Sequence, residues 1–148
     1  MDSWYLKQCN MLTKKDYCDY DTCVALKELG YKAPTSAYYI SNDTTLYFVS
    51  NPFRGGYAID CFYSHNSLRE GVVTSNYIDA PTMWEAQKWL RENHNLHVEV
   101  GYNPVLSWYV YRVWNNQDEI AEGEAFPSYE EALNTAIYMA VEYLKEGK

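Results

Sequence analysis

Two shortages narrow what this sequence can be: it has few basic residues, and it has no long apolar run. Twelve Lys and Arg stand against 20 Asp and Glu, a formal net charge of −8. A surface of that sign repels nucleic-acid phosphates and anionic lipid heads, because unspecific binding to either rests on clustered cations. No segment approaches the roughly 20 consecutive apolar residues of a membrane-spanning helix, and the opening MDSWYLKQCNMLTKK lacks the apolar stretch of a secretory signal. A cytoplasmic protein, with neither nucleic acid nor membrane as its partner, is therefore expected. Cysteine is also scarce. Cys9, Cys18, Cys23 and Cys61 show none of the paired two-residue spacings of zinc ribbons, and without an export signal they are expected to be free thiols. Neither a phosphate-binding glycine loop nor a dinucleotide fingerprint is present. No metal and no cofactor is expected.

Aromatic residues are what the sequence has in quantity. Sixteen Tyr, five Trp and four Phe occur in 148 residues; Tyr and Trp suit half-buried strands and contact surfaces because each joins a large apolar body to a polar handle. Apolar residues at 47% and charged ones at 22% are ordinary for a globular chain. The length is enough to bury a core without disulfides or metals, so one domain over residues 1–148 is expected, with possible halves at 16–78 and 79–148. The charge is uneven: residues 1–80 carry seven bases and nine acids, residues 81–148 five bases and eleven acids.

Read along the chain, the pattern predicts an α+β fold with about three helices and antiparallel sheet. Asp19 or Asp21 can cap a helix through Val24, Ala25, Leu26 and Leu29, with Gly30 where a left-handed C-terminal residue is wanted. Ala37 to Ser41 and Thr44 to Ser50 read as a hairpin turning at Asn42 and Asp43. Tyr57 to Tyr63 reads as a third strand with Cys61 on its inner face, after a loop containing Arg54, Gly55 and Gly56. Residues 64–80 read as a connection, with Val72 and Val73 a possible short strand. At Pro81 the signal sharpens. Thr82 and Glu85 have capping-box spacing, Met83, Ala86 and Leu90 share one helical face, and the helix is expected to end between Asn93 and Asn95. Strands are predicted at Leu96–Tyr102, Leu106–Trp114 and Glu119–Phe126, as an antiparallel meander. A last helix opens at Pro127 with the Ser128 and Glu131 capping box and carries the stripe Leu133, Ala136, Ile137, Ala140 and Leu144. The two helix starts lie 46 positions apart and match at four residues, which is read as a shared way of starting a helix rather than as a repeat.

Chemistry-bearing residues are few. His94 and His97 have metal-ligand spacing only if one helix holds both, and the predicted helix ends between them. Between Asp118 and Glu131 lie six acids, Asp118, Glu119, Glu122, Glu124, Glu130 and Glu131, with no base among them. Glu122 and Glu124 share a strand face. Such a group suits a divalent cation, a general acid and base, or a basic protein partner for which it imitates phosphates, and otherwise serves as a solvated edge charged against aggregation plus a helix start favoured by its dipole; a basic protein partner is the preferred functional reading. The strand Trp108, Tyr109, Val110, Tyr111, Arg112, Val113 and Trp114 is aromatic on both faces, so either Tyr109 and Tyr111 or Trp108 and Trp114 stay near the surface as contact anchors. The expectation is a non-catalytic acidic interaction protein. The alternative is a small-molecule or nucleotide-binding protein, hydrolytic or not, with an aromatic pocket that uses Glu122 and Glu124.

Residues 26–31 (LKELGY), 80–92 (APTMWEAQKWLRE), 97–100 (HVEV) and 128–132 (SYEEA) together resemble small proteins of gut Bacteroidetes, their prophages and their phages, a group to which no activity is assigned. The likeness runs from about Lys14 onward and rests on helix starts and strand patterns. It implies an accessory protein of a mobile element, acting in a bacterial cytoplasm on a host or phage protein. Separately, the order helix, three strands, helix from Thr82 onward is similar to the topology of the double-stranded-RNA-binding domain. That family holds phosphates with basic residues at the start of its last helix, where this chain has Glu130 and Glu131, so RNA binding is not implied.

Overall fold

The computed structural model describes residues 12–48 and 77–147. Among them are three α-helices and two three-stranded antiparallel sheets, the α+β class expected from the sequence. The predicted strand Tyr57–Tyr63, the loop at Arg54, the Val72–Val73 strand, and Cys9 and Cys61 lie outside the described residues. The chain divides into two compact units, the first ending at Thr82 and the second starting at Met83.

In the first unit Asp19 keeps an extended backbone, and its Oδ1 accepts the Thr22 N–H at 2.9 Å. That bond satisfies one of the four orphan donors at the start of α1 (Tyr20–Leu29). Gly30 ends the helix at φ +99°, a left-handed conformation that only glycine adopts without steric cost. The helix buries Thr22, Cys23, Ala25 and Leu26. β1 (Ala37–Ile40) and β2 (Asp43–Phe48) form the expected hairpin. Its turn lies one residue earlier than predicted, with Asn42 left-handed at φ +66°. Asp43 already belongs to β2.

The third strand of this sheet corrects the sequence reading. β3 (Tyr77–Asp79) pairs with the free side of β1, giving the order β2–β1–β3, inside the segment assigned to a connection. Three residues are too short to show a period; the ladder that β1 offers makes them a strand. Ala37, Tyr39 and Ile78 are buried. On the other face Tyr47 stacks on Tyr38 at 5.6 Å between centroids, and Tyr77 meets Tyr38 edge-on at 5.7 Å. In this core the Tyr39 hydroxyl donates to the Cys18 carbonyl at 3.1 Å and the Tyr17 and Ser36 hydroxyls meet at 2.9 Å, whereas the buried Thr22 Oγ1 has no hydrogen-bond partner among the described residues. Cys18 and Cys23 are free and buried, and burial pushes the Cys23 thiol well up from its ordinary value.

The second unit opens with α2 (Met83–His94), which buries the predicted stripe Met83, Ala86 and Leu90. Asn95, left-handed at φ +53°, turns the chain into β4 (His97–Asn103). β5 (Trp108–Trp114) and β6 (Glu119–Phe126) follow, and the sheet is the expected meander in the order β4–β5–β6. The last helix, α3 (Tyr129–Lys145), starts at Ser128, whose hydroxyl accepts the Glu131 N–H at 3.2 Å. Ala132, Leu133, Ala136, Ile137, Ala140 and Val141 are buried, while Leu144, predicted in the stripe, is half-buried at its margin. α3 packs on all three strands, and α2 on β4 and α3. Val98, Tyr111 and Val113 are buried on the helix-bearing face, each large aliphatic side chain removed from water contributing about 1.5–3 kcal/mol. The α-β-β-β-α order is the one expected.

Candidate functional site

The open face of β4–β5–β6 is set by the pleat. Since Tyr111 and Val113 are buried beneath the helices, the alternate residues of β5, Trp108, Val110, Arg112 and Trp114, point to the opposite face. Tyr111 therefore belongs to the core, and burial, with the Glu122 carboxylate beside it, raises its phenol above the ordinary value. Tyr109 is half-buried on the helix side, between the rings of Tyr102 and Tyr129. The four aromatics singled out in the sequence thus divide two and two. Trp108 and Trp114 share the open face; Tyr109 and Tyr111 do not. The buried Trp108 Nε1 has no hydrogen-bond partner among the described residues.

Arg112 stands between the two indoles with carboxylates on both sides. Its direct partners across the ladders are Glu99 on β4 and Glu122 on β6, and its Nε lies 4.0 Å from Glu119 Oε1. The Trp114 indole donates to Glu99 at 3.0 Å. In a regular strand Glu119 and Glu122, three apart, would point to opposite faces. A register shift between Val113 and Trp114 inserts one residue into β6 and brings both acids to the open face. Partial desolvation, with the hydrogen-bonded and repelling Glu122 carboxylate, pushes the Glu119 carboxyl up, while Arg112 pulls it back. Glu124, exposed, continues the row. A depression of about 410 Å³ is lined by Asn103, Val110, Tyr111, Arg112, Glu122, Gly123 and Glu124.

The other acids named in the sequence lie elsewhere. Asp118 is in the β5–β6 turn, where its N–H donates to Asn115 Oδ1 at 2.8 Å, beside a polar depression lined by His94, Asn95, Asn116 and Gln117. Glu130 and Glu131 occupy the first turn of α3, where negative charge favours the helix dipole. The run of six carboxylates is therefore three on the sheet face, one in a turn and two at a helix start. His94 ends α2 with its ring edge-on to Trp89 at 4.7 Å, and His97 Nε2 meets Asn95 Oδ1 at 3.1 Å. No group of three His, Cys, Asp or Glu that could hold a metal ion occurs among the described residues.

Sequence reasoning missed Glu99. It sits outside the acidic run, and only the β4–β5 register brings it opposite Arg112. It also missed the exposed Val105 and Leu106 at the tip of the β4–β5 hairpin. No helix among the described residues is long and apolar enough to cross a membrane. Compared with family models, curated proteins and solved structures, the chain has no match.

Proposed function

We propose that this chain is a non-catalytic acidic interaction protein that holds a protein with a basic surface against the open face of β4–β5–β6. The observation that supports this reading is the grouping of Glu99, Glu119, Glu122 and Glu124 around a single Arg112, flanked by Trp108 and Trp114. One guanidinium cannot neutralise four exposed carboxylates, so the face keeps negative charge for a partner's Lys and Arg, and the indoles add contact area that tolerates varied partners. The likeness to proteins of gut Bacteroidetes and their phages supplies the setting: an accessory protein of a mobile element that engages a host or phage protein in the bacterial cytoplasm. Glu130 and Glu131, at the helix start where double-stranded-RNA-binding domains carry bases, favour a protein over a nucleic acid.

The test is affinity capture from a Bacteroidetes lysate by the wild-type chain and by a variant with Glu119, Glu122 and Glu124 changed to Lys. A protein retained by the wild type at low salt, released as salt rises and absent from the variant is the expected result. Equal retention by both chains contradicts it.

The depression beside Val110 and Arg112 supports a second reading, a small-molecule or nucleotide ligand held with Glu122 and Glu124. Its volume lies within the range of ligand sites, yet its carboxylates oppose a phosphate. A rise in melting temperature with a nucleotide panel would favour this reading.

A further inference from the structure

Apart from Trp84 on α2 and Met139 on α3, the exposed large apolar side chains of the second unit gather at one end of the sheet. Val105 is 87% and Leu106 52% exposed in the β4–β5 loop, with Tyr102 at 53% in β4 and Tyr129 at 44% at the start of α3. Three rings form a continuous row, Tyr102 to Tyr109 at 5.0 Å and Tyr109 to Tyr129 at 6.1 Å. The loop is held in place, because Asn103 Oδ1 accepts the N–H groups of both Val105 and Leu106, at 3.0 and 3.2 Å. Two aliphatic side chains are thus displayed on a fixed turn, so little conformational freedom is lost when they are covered.

Charge decides what can cover them. Residues 97–144 contain eight carboxylates and one base, Arg112, which Glu119 already approaches. Glu130 and Glu131 follow Tyr129 directly. A second copy of the chain would bring its own carboxylates against these, and an anionic lipid surface would be repelled. A cationic segment with apolar side chains of its own meets both features at once.

We infer that the hairpin tip at Val105 and Leu106, at the end of the open face and continued onto the helix side by the Tyr102–Tyr109–Tyr129 row, is the apolar anchor of the interface, and that it takes aliphatic side chains from a basic amphipathic segment of the partner that passes round this end of the sheet. This rests on the proposed function and names the chemistry of the partner: Lys or Arg alternating with Leu, Ile or Val. The carboxylates supply attraction and orientation, and the anchor supplies most of the discrimination between basic partners.

Fluorescence anisotropy with two labelled peptides of equal charge, one alternating Lys with Leu and one alternating Lys with Gly, tests this. The wild-type chain is expected to bind the Lys–Leu peptide at least about tenfold more tightly. Val105→Ser with Leu106→Ser should abolish that advantage while leaving Lys–Gly binding and the melting temperature unchanged, because both side chains are exposed. Changing Glu119, Glu122 and Glu124 to Gln should weaken both peptides alike. Equal affinity of the wild type for the two peptides overturns the anchor, as does an advantage that survives the serine substitutions. In either case a loss with the Gln variant leaves the charge-based reading standing. Failure of both peptides to bind also overturns the anchor, and the lysate capture then judges the proposed function by itself. A wild-type dimer in sedimentation that the serine substitutions dissolve would overturn the assignment in favour of a second copy.

Discussion

Gly123 sits opposite Tyr111 in the β5–β6 ladder, and the tyrosine ring lies across it. A Cβ at this position would come within 2.8 Å of Tyr111 Cζ, so the glycine is required by close approach rather than by its torsion angles. Gly123→Ala should destabilise the chain by about 1–3 kcal/mol, and less in a Tyr111→Ala background, a non-additivity that a double-mutant cycle by denaturant unfolding reads directly. Glu119 and Glu122 carry a cost of a different kind. The Glu119 carboxyl is raised by desolvation and by Glu122. A carboxyl that holds its proton more tightly in the folded state than in the unfolded chain opposes folding above that raised value, and the opposition fades as pH falls through it. Glu122→Gln should therefore raise the melting temperature at neutral pH, and the gain should shrink as the pH is lowered through the Glu119 range. Thermal melts across that interval check the sign.

Among the elements, helix starts and strand periods were legible because their causes are local. Asp19, Ser128 and Gly30 act on backbone groups within four residues of themselves, and Met83, Ala86 and Leu90 repeat at the helical period. Ser128→Ala should cost about 1 kcal/mol, measured by chemical denaturation. β3 and the register shifts of β6 were not legible, since a three-residue strand and an inserted residue are defined by the neighbour they pair with. Within the first hairpin, the Asp43 carboxylate accepts from the Thr45 N–H at 2.9 Å and the Tyr47 hydroxyl at 2.8 Å. These bonds hold its carboxyl below the ordinary range and push the Tyr47 phenol up. A depressed carboxyl stabilises the fold above its unfolded value and loses that contribution as pH falls through its folded one. Asp43→Asn should lower the melting temperature at neutral pH and converge with the wild type in strong acid.

For the whole molecule, the fold class followed from composition and period, whereas the open face did not. Its membership depends on which side of β5 the helices cover, a question that alternating aromatics on both faces leave open until Tyr111 and Val113 are seen buried. Once that is settled, Trp108, Arg112 and Trp114 fall together with Glu99 from one neighbouring strand and Glu119 and Glu122 from the other. The central claim is that this face meets a basic partner. Carbodiimide labelling of carboxylates, read by mass spectrometry on the free chain and on the chain bound to the protein it captures, tests it most directly. The account predicts that Glu99, Glu119, Glu122 and Glu124 lose reactivity in the complex while Glu142 and Glu146 keep theirs. Unchanged labelling at all four positions of the open face would contradict it.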